Sequence, residues 1–323
     1  MITDTSHISA VSSFLDKRIL NRLTQSLETL NRHRPFSQSV LKKIQNQLSI
    51  EMTYHSNAIE GNRLTLKETM LVLKEGVTVK GKNLQDHLEA KNHAEAMEFL
   101  FEFVDLKQSI TLSHHLIRQL HQLVVKDTEE SIAGKYRHTD VQILGSRHKP
   151  PAGFKVQEEM SSFLKWITSN SKKVHPVELA ALAHHRFVLI HPFEDGNGRT
   201  GRLLMNLLLI RAGYPLAIIQ KNDRSKYYRA LDAGDRGGFE GIVRMIAQAV
   251  ERSLKIYEAA LLGSTKKTEW LTLSDLARKT EYSAKYLNLL IRKGLLTGRK
   301  EGRNWFSHLH AVEEYKQSRL RNR

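Results

Sequence analysis

The chain reads as a mainly α-helical protein with one short β-hairpin inserted and a separate basic segment at its C-terminal end. Three observations carry this. Hydrophobic residues make up 40 % of the 323 positions and aromatic residues only 7 %, while Leu, Ala, Glu, Lys and Arg recur at helical spacing over long stretches. A single stretch, "GKYRHTDVQILGSRHKPPAGFKV", concentrates Gly, Pro and β-branched residues. From Ser264 to Arg323 there are fourteen Lys/Arg against six Asp/Glu, a net of +8 out of a formal +16. A chain this long can bury a substantial core and form one to three domains. Cysteine is absent, which excludes disulfides and thiolate chemistry and fits a reducing compartment.

Taken in order, the first sixty residues predict two helices broken at "NRHRPF", with Pro35 suited to the first turn of the second. That helix carries Val40, Leu41, Ile44, Leu48 and Met52 on one face and stops at Gly61-Asn62, a left-handed cap. Helices continue over 65–127, including the charged "LQDHLEAKNHAEAMEFLFEFV". Val141, Ile143 and the turn "GSRHKPP" then predict the hairpin. Helices resume from 155, and "HPVELAALAHHRFVLIHPF" is apolar enough to be buried. Pro192 ends it near His191. A second apolar helix starts near Gly198, the segment "NDRSKYYRALDAGDRGGFEGIVRMIAQAVERSLKIYEAAL" follows, and "LGSTKKT" at 262–268 is the expected linker. The N-terminus has no continuous apolar run and is not a secretory signal. The longest apolar runs, around eight residues, are far short of the ~20 that span a bilayer. A cytoplasmic protein with no membrane partner is expected.

Between the two apolar helices lies "HPFEDGNGRTGR", residues 191–202. Its glycines let the backbone turn sharply and deliver amide N–H groups to a helix N-terminus, where the unsatisfied donors and the dipole favour phosphate. Arg199 and Arg202, at i and i+3, can clamp phosphate oxygens. Asp195 beside them can hold Mg²⁺, and His191 is a natural general base. Each residue alone has an ordinary structural explanation. Together they point to nucleotide-dependent transfer at phosphorus.

The run His191-x-Phe193-x-Asp195-Gly196-Asn197-Gly198-Arg199-x-x-Arg202 resembles the complete signature of the Fic domain family. The resemblance implies a Fic-type helical core with a small β-hairpin flap, and transfer of AMP from ATP to a Ser, Thr or Tyr hydroxyl of a target protein, self-modification included. It implies His191 as base and Asp195 as Mg²⁺ ligand. Asn197, with the Gly196 and Gly198 backbone, would cradle the α- and β-phosphates. Arg199 would support them, Arg202 would hold the γ-phosphate, and Phe193 would be a core anchor. "VQILGSRHKPPAG" resembles the family's flap, which docks the target by strand addition. "SKYYRALDAGD" resembles its adenine pocket, with Tyr228, Leu231 and Asp235 at the matching positions. "SNAIEGN" resembles its inhibitory motif: Ser56, Glu60, Gly61 and Asn62, with Glu60 placed to pair bidentately with Arg202.

The basic tail predicts helix, turn, helix and a two-stranded wing. Leu273, Leu276 and Ala277 form one apolar face and Tyr286, Leu287, Leu290 and Ile291 another, with Trp305 and Phe306 returning to the core. It resembles winged-helix or excisionase-like domains, which dock DNA or protein; Lys285, Arg292, Lys293, Arg299, Lys300 and Arg303 are the candidate contacts. The expected organisation is a helical region carrying the inhibitory helix at 1–110, a catalytic core at 111–262 and the winged helix at 268–323. A homodimer stays open. So do two other readings: a DNA-binding regulator with a vestigial Fic core, and an enzyme that transfers another nucleotide or removes AMP.

Overall fold

The computed structural model describes residues 13–105, 112–143, 145–146, 148–265, 270–293, 295–302, 304–309, 311–313 and 315–316. Ten helices occupy the described residues up to 265: α1 Lys17–Asn31, α2 Gln38–Glu60, α3 Leu66–Glu75, α4 Leu84–Asp105, α5 His114–Val125, α6 Val156–Asn170, α7 Pro176–Ile190, α8 Asn197–Arg211, α9 Arg224–Gly234 and α10 Glu240–Thr265. Local chemistry sets their ends. Ser37 caps α2 by accepting from Val40 N, and Gly61, at φ 109°, stops it in the left-handed conformation open to glycine. Thr65 and Glu68 form a reciprocal capping box on α3. Pro176 sits in the first turn of α7, where its missing N–H costs nothing.

The centre is α8. Leu203, Leu204, Met205, Leu207 and Leu209 are fully buried, so the helix is buried on every side and is enclosed by α7, α5, α4 and α2. The buried amide at its middle is satisfied: Asn206 Oδ1 accepts from Ala217 N at 2.7 Å and Nδ2 donates to Ala217 O at 3.2 Å. The chain divides into two compact units, residues 1–258 and 259–323.

In the second unit, β1 (Leu271–Thr272) leads into α11 (Leu273–Lys279) and α12 (Ala284–Arg292), then β2 (Arg299–Glu301) and β3 (Asn304–Ser307). The strands form an antiparallel sheet in the order β1-β3-β2, with Leu271 opposite Ser307 and Lys300 opposite Trp305. Leu276, Leu287, Leu290 and Leu296 form its core, with Tyr286 and Trp305 packed against it. Phe306 is only half-buried; the buried residue of β3 is Ser307, whose hydroxyl donates to Thr297 O. Arg303 lies outside the described residues.

Three expectations are corrected. Pro35 lies outside α2, because Ser37 supplies the cap. The flap turns back as expected, with Ser146 N donating to Ile143 O, but its described residues form no β-ladder. Pro150 and Pro151 have no N–H to give, and the arms are held by side chains instead. The linker is shorter than expected, since α10 runs through Thr265. A Gly and a Ser at a helix end cost only about 1 kcal/mol or less each, which the long Ala/Leu-rich helix before them offsets.

Candidate active site

The turn between α7 and α8 is shaped by its own polar groups. His191 ends α7 in the left-handed conformation, φ 50°, and is the one non-glycine residue with positive φ among those described. Two bonds hold this strained position: His191 N donates to Phe187 O, and Arg137 Nε donates to His191 O at 2.7 Å. Gly196 caps α8 at φ 73°, where a Cβ would lie 2.9 Å from Val125 Cγ1. The Asn197 side chain is bonded inside the loop, accepting from Phe193 N and donating to Phe193 O. These two bonds shape the loop, and Asn197 also lines the cavity described below. Phe193 is buried and stacks on His121 at 3.7 Å, the core anchor expected of it.

His191 lines a cavity of about 660 Å³ together with Glu60, Asp195, Gly196, Asn197, Gly198 and Arg199, and with Tyr228, Leu231 and Asp235 from α9. Burial drives the His191 pKa down to about 4, so the ring is neutral near pH 7 and ready to accept a proton. Its Nδ1 lies 3.4 Å from Val188 O; a proton donated there leaves the lone pair on Nε2.

Arg202 is 1 % exposed and reaches α2. Nε donates to Ser56 Oγ at 2.9 Å, and Nη2 donates to Ser56 O and to Glu60 Oε1, both at 2.8 Å. The pairing expected to be bidentate is thus a single bond to Glu60, with Ser56 taking Nε and the second Nη2 proton. Nη1 has no hydrogen-bond partner. Burial opposes the guanidinium charge, yet the Glu60 carboxylate holds its pKa above the ordinary value. The Glu60 carboxylate rests directly on the glycine turn, since a Cβ on Gly198 would fall 2.1 Å from Oε1. Gly61 ends α2 just beyond it, and Asn62 is tied to α4 by donating to Asp86 O and Glu89 Oε2.

Arg199 is shared by two carboxylates, Asp195 at 2.9 Å and Glu89 at 3.4 Å. Asp195 keeps 59 % of its side chain exposed. On the α9 side of the cavity, Asp235 is engaged by His185 Nε2 at 3.0 Å, while Arg224 lies over the Tyr228 ring at 5.0 Å. Burial, then the Glu60 charge, push the Tyr228 phenol up.

Four contributors come from elements the motif does not contain. His121 on α5 accepts from Gly134 N on one ring nitrogen and meets Asp195 O with the other. Arg137 donates to the carbonyls of Thr139, Pro151, Ile190 and His191. Glu89 is one residue of a charged helix. His184 Nε2 meets the buried Tyr227 hydroxyl at 2.8 Å behind Arg202.

Residues 111–209 match the model of the Fic/DOC family. The chain is 36 % identical over 248 residues, 76 % of its length, to the protein adenylyltransferase Fic of Nematostella vectensis, of which it spans only 57 %. Among solved structures it resembles Fic-1 of C. elegans, at 30 % identity and TM-score 0.69, covering 77 % of this chain and 73 % of that one. It also resembles a Fic domain-containing signalling protein of Bacteroides thetaiotaomicron, at 30 % identity and TM-score 0.68, covering 76 % and 97 %.

Proposed function

We propose, from the premise that this chain belongs to the Fic/DOC family, that its pocket transfers AMP from ATP to a protein hydroxyl and that Glu60 holds the resting enzyme in check. The observation that carries the reading is the convergence of His191, the α8 N-terminal turn and the Glu60–Arg202 pair on one cavity. His191 Nε2 takes the proton of the acceptor hydroxyl as its oxygen bonds to the α-phosphorus, while the bond from that phosphorus to the pyrophosphate oxygen breaks. The first N–H groups of α8 stabilise the developing phosphate charge. Tyr228 and Leu231 flank the base. Asp195, a hard oxygen donor facing the cavity, fits a role in holding Mg²⁺ with phosphate oxygens completing the shell. No group of three or more His, Cys, Asp or Glu suited to a metal occurs among the described residues, so the nucleotide would bring the remaining ligands. Bound there, Mg²⁺ would neutralise charge on the phosphates.

Glu60 restrains the reaction by occupying Arg202 and the space over Gly198, where the γ-phosphate of a productive nucleotide would lie. The test is incorporation of labelled nucleotide from ATP, CTP, GTP or UTP by the full chain. Glu60→Gly should raise self-labelling from ATP strongly over wild type, and adding His191→Ala should abolish it while ATP binding persists. Undiminished labelling by the His191→Ala protein would overturn the assignment.

A second reading concerns residues 259–323 alone. The exposed face of α12 carries Lys285, Asn288 and Arg292 and no carboxylate, beside a groove of about 980 Å³ walled by Ser274, Asn304 and Trp305. This favours duplex DNA: Arg and Asn can read purine edges and Lys can contact phosphate. A chain ending at Gly263 should keep self-labelling and lose salt-sensitive DNA binding. Equal DNA affinity with and without the tail would remove this reading.

A further inference from the structure

Glu89 sits where two functional segments meet, although it belongs to neither. Its Oε2 accepts from Asn62 Nδ2 at 2.8 Å, tying α4 to the segment that ends the inhibitory helix. Its Oε1 lies 3.4 Å from Arg199 Nη1, and Arg199 Nη2 donates to Asp195 Oδ2 at 2.9 Å. Arg199 is 4 % exposed and Glu89 15 %, whereas Asp195 is 59 % exposed. A continuous polar path, Asn62–Glu89–Arg199–Asp195, thus runs from the inhibitory motif to the carboxylate facing the cavity.

The electrostatics give this path a direction. A guanidinium beside a metal-binding carboxylate competes with the cation for the same oxygens and adds a repelling charge. Arg199 Nη1 and Nε have no hydrogen-bond partner, so the carboxylates of Glu89 and Asp195 are what compensates its charge. With Glu89 present, Asp195 need not neutralise Arg199 alone. Without that carboxylate, Arg199 would draw on Asp195 undivided.

We propose that Glu89 is a positioning residue that shares the charge of Arg199 and thereby leaves Asp195 available to a nucleotide-bound divalent cation. The proposal rests on the metal role read for Asp195 above. It assigns Glu89 no contact with substrate.

The test uses the full chain carrying Glu60→Gly, with ATP affinity measured by calorimetry in Mg²⁺ and again in chelator. Glu89→Gln is close in size and keeps an oxygen for Asn62, so it removes charge with little change of shape. It should weaken binding in Mg²⁺ on the order of tenfold, the range for losing a group that supports a metal ligand. Binding in chelator should hold or tighten, because a negative charge near the phosphates is gone. Glu89→Asp should restore part of the Mg²⁺ effect. Asp195→Asn should remove the Mg²⁺ effect, and Glu89→Gln added to it should remove nothing more. Equal weakening with and without Mg²⁺ would mean that Glu89 only supports the fold, and unchanged titrations would also overturn the proposal. If the parent itself gains no affinity from Mg²⁺, the metal role of Asp195 fails and the proposal fails with it.

Discussion

A methyl group on Gly198 would fall 2.1 Å from Glu60 Oε1 and 3.2 Å from Arg202 Nη1, so this glycine is required by what rests on it. Its φ lies outside the left-handed region, and alanine would fit the backbone; the clash is with the end of a flexible side chain. Gly198→Ala should therefore break the Glu60–Arg202 bond, costing about 1–3 kcal/mol, the range for stranding a buried polar donor. In the Glu60→Gly background the same substitution should cost much less. Thermal unfolding of the four proteins tests this, and strictly additive effects would contradict it. The motif residues were legible because their types are rare together: an imidazole, a carboxylate and three glycines before an apolar helix have few joint explanations. The bonds that Asn197 makes to the Phe193 backbone were not legible, because a loop-internal amide and a ligand-facing amide look alike in sequence. Glu89, His121 and Arg137 were illegible for another reason. Each lies 54 to 110 residues from its partner in the turn, and no local pattern marks it.

Among the elements, the flap segment shows most clearly how side chains can replace a ladder. The buried Arg137 guanidinium donates to four carbonyls, two of them at the C-terminal end of α7, where the helix dipole favours a positive charge. Asp140 accepts from Gly153 N at the other arm, and His148 Nε2 meets Leu189 O. Arg137→Ala should cost about 3 kcal/mol, within the range for hydrogen bonds to a charged group, and should free both the flap and His191. Limited proteolysis should then cleave between residues 138 and 152 while α7 and α8 resist. Unaltered protection would show that the flap is held by other means. Val141 and Ile143 suggested a strand through their β-branched character, but β-propensity reports packing on a pleated surface, and the prolines remove donors that a ladder needs. By contrast the cores of α2, α7, α8 and α12 were legible, because apolar periodicity marked each, with Gly61 stopping α2 and Pro192 following α7.

For the molecule as a whole, the histidines buried around α8 make folding sensitive to acid. Burial first of all lowers His93 and His184 to about 3 and His121 and His191 to about 4, against an ordinary 6.5. The unfolded chain therefore takes up protons at a higher pH than the folded one. The stability linked to keeping these rings neutral is fully present above 6.5 and is lost as pH falls toward 4. Melting temperatures should be flat above about pH 7 and fall steadily below 6.5. A melting temperature independent of pH down to 4 would refute this. Catalysis by neutral His191 should persist into the same window, so the acid limit of activity should track unfolding and not titration of the base.

The bond from Arg202 to Glu60 joins residues 142 apart in sequence, with Glu60 on the earlier helix. During synthesis the Glu60 carboxylate leaves the ribosome first and precedes the arginine by on the order of ten seconds, at the usual elongation rates. The catalytic turn cannot form before the helix that covers it exists. Under the restraint proposed for Glu60, every molecule whose arginine folds into place finds its carboxylate partner already made, so restraint would need no later partner or modification to set it.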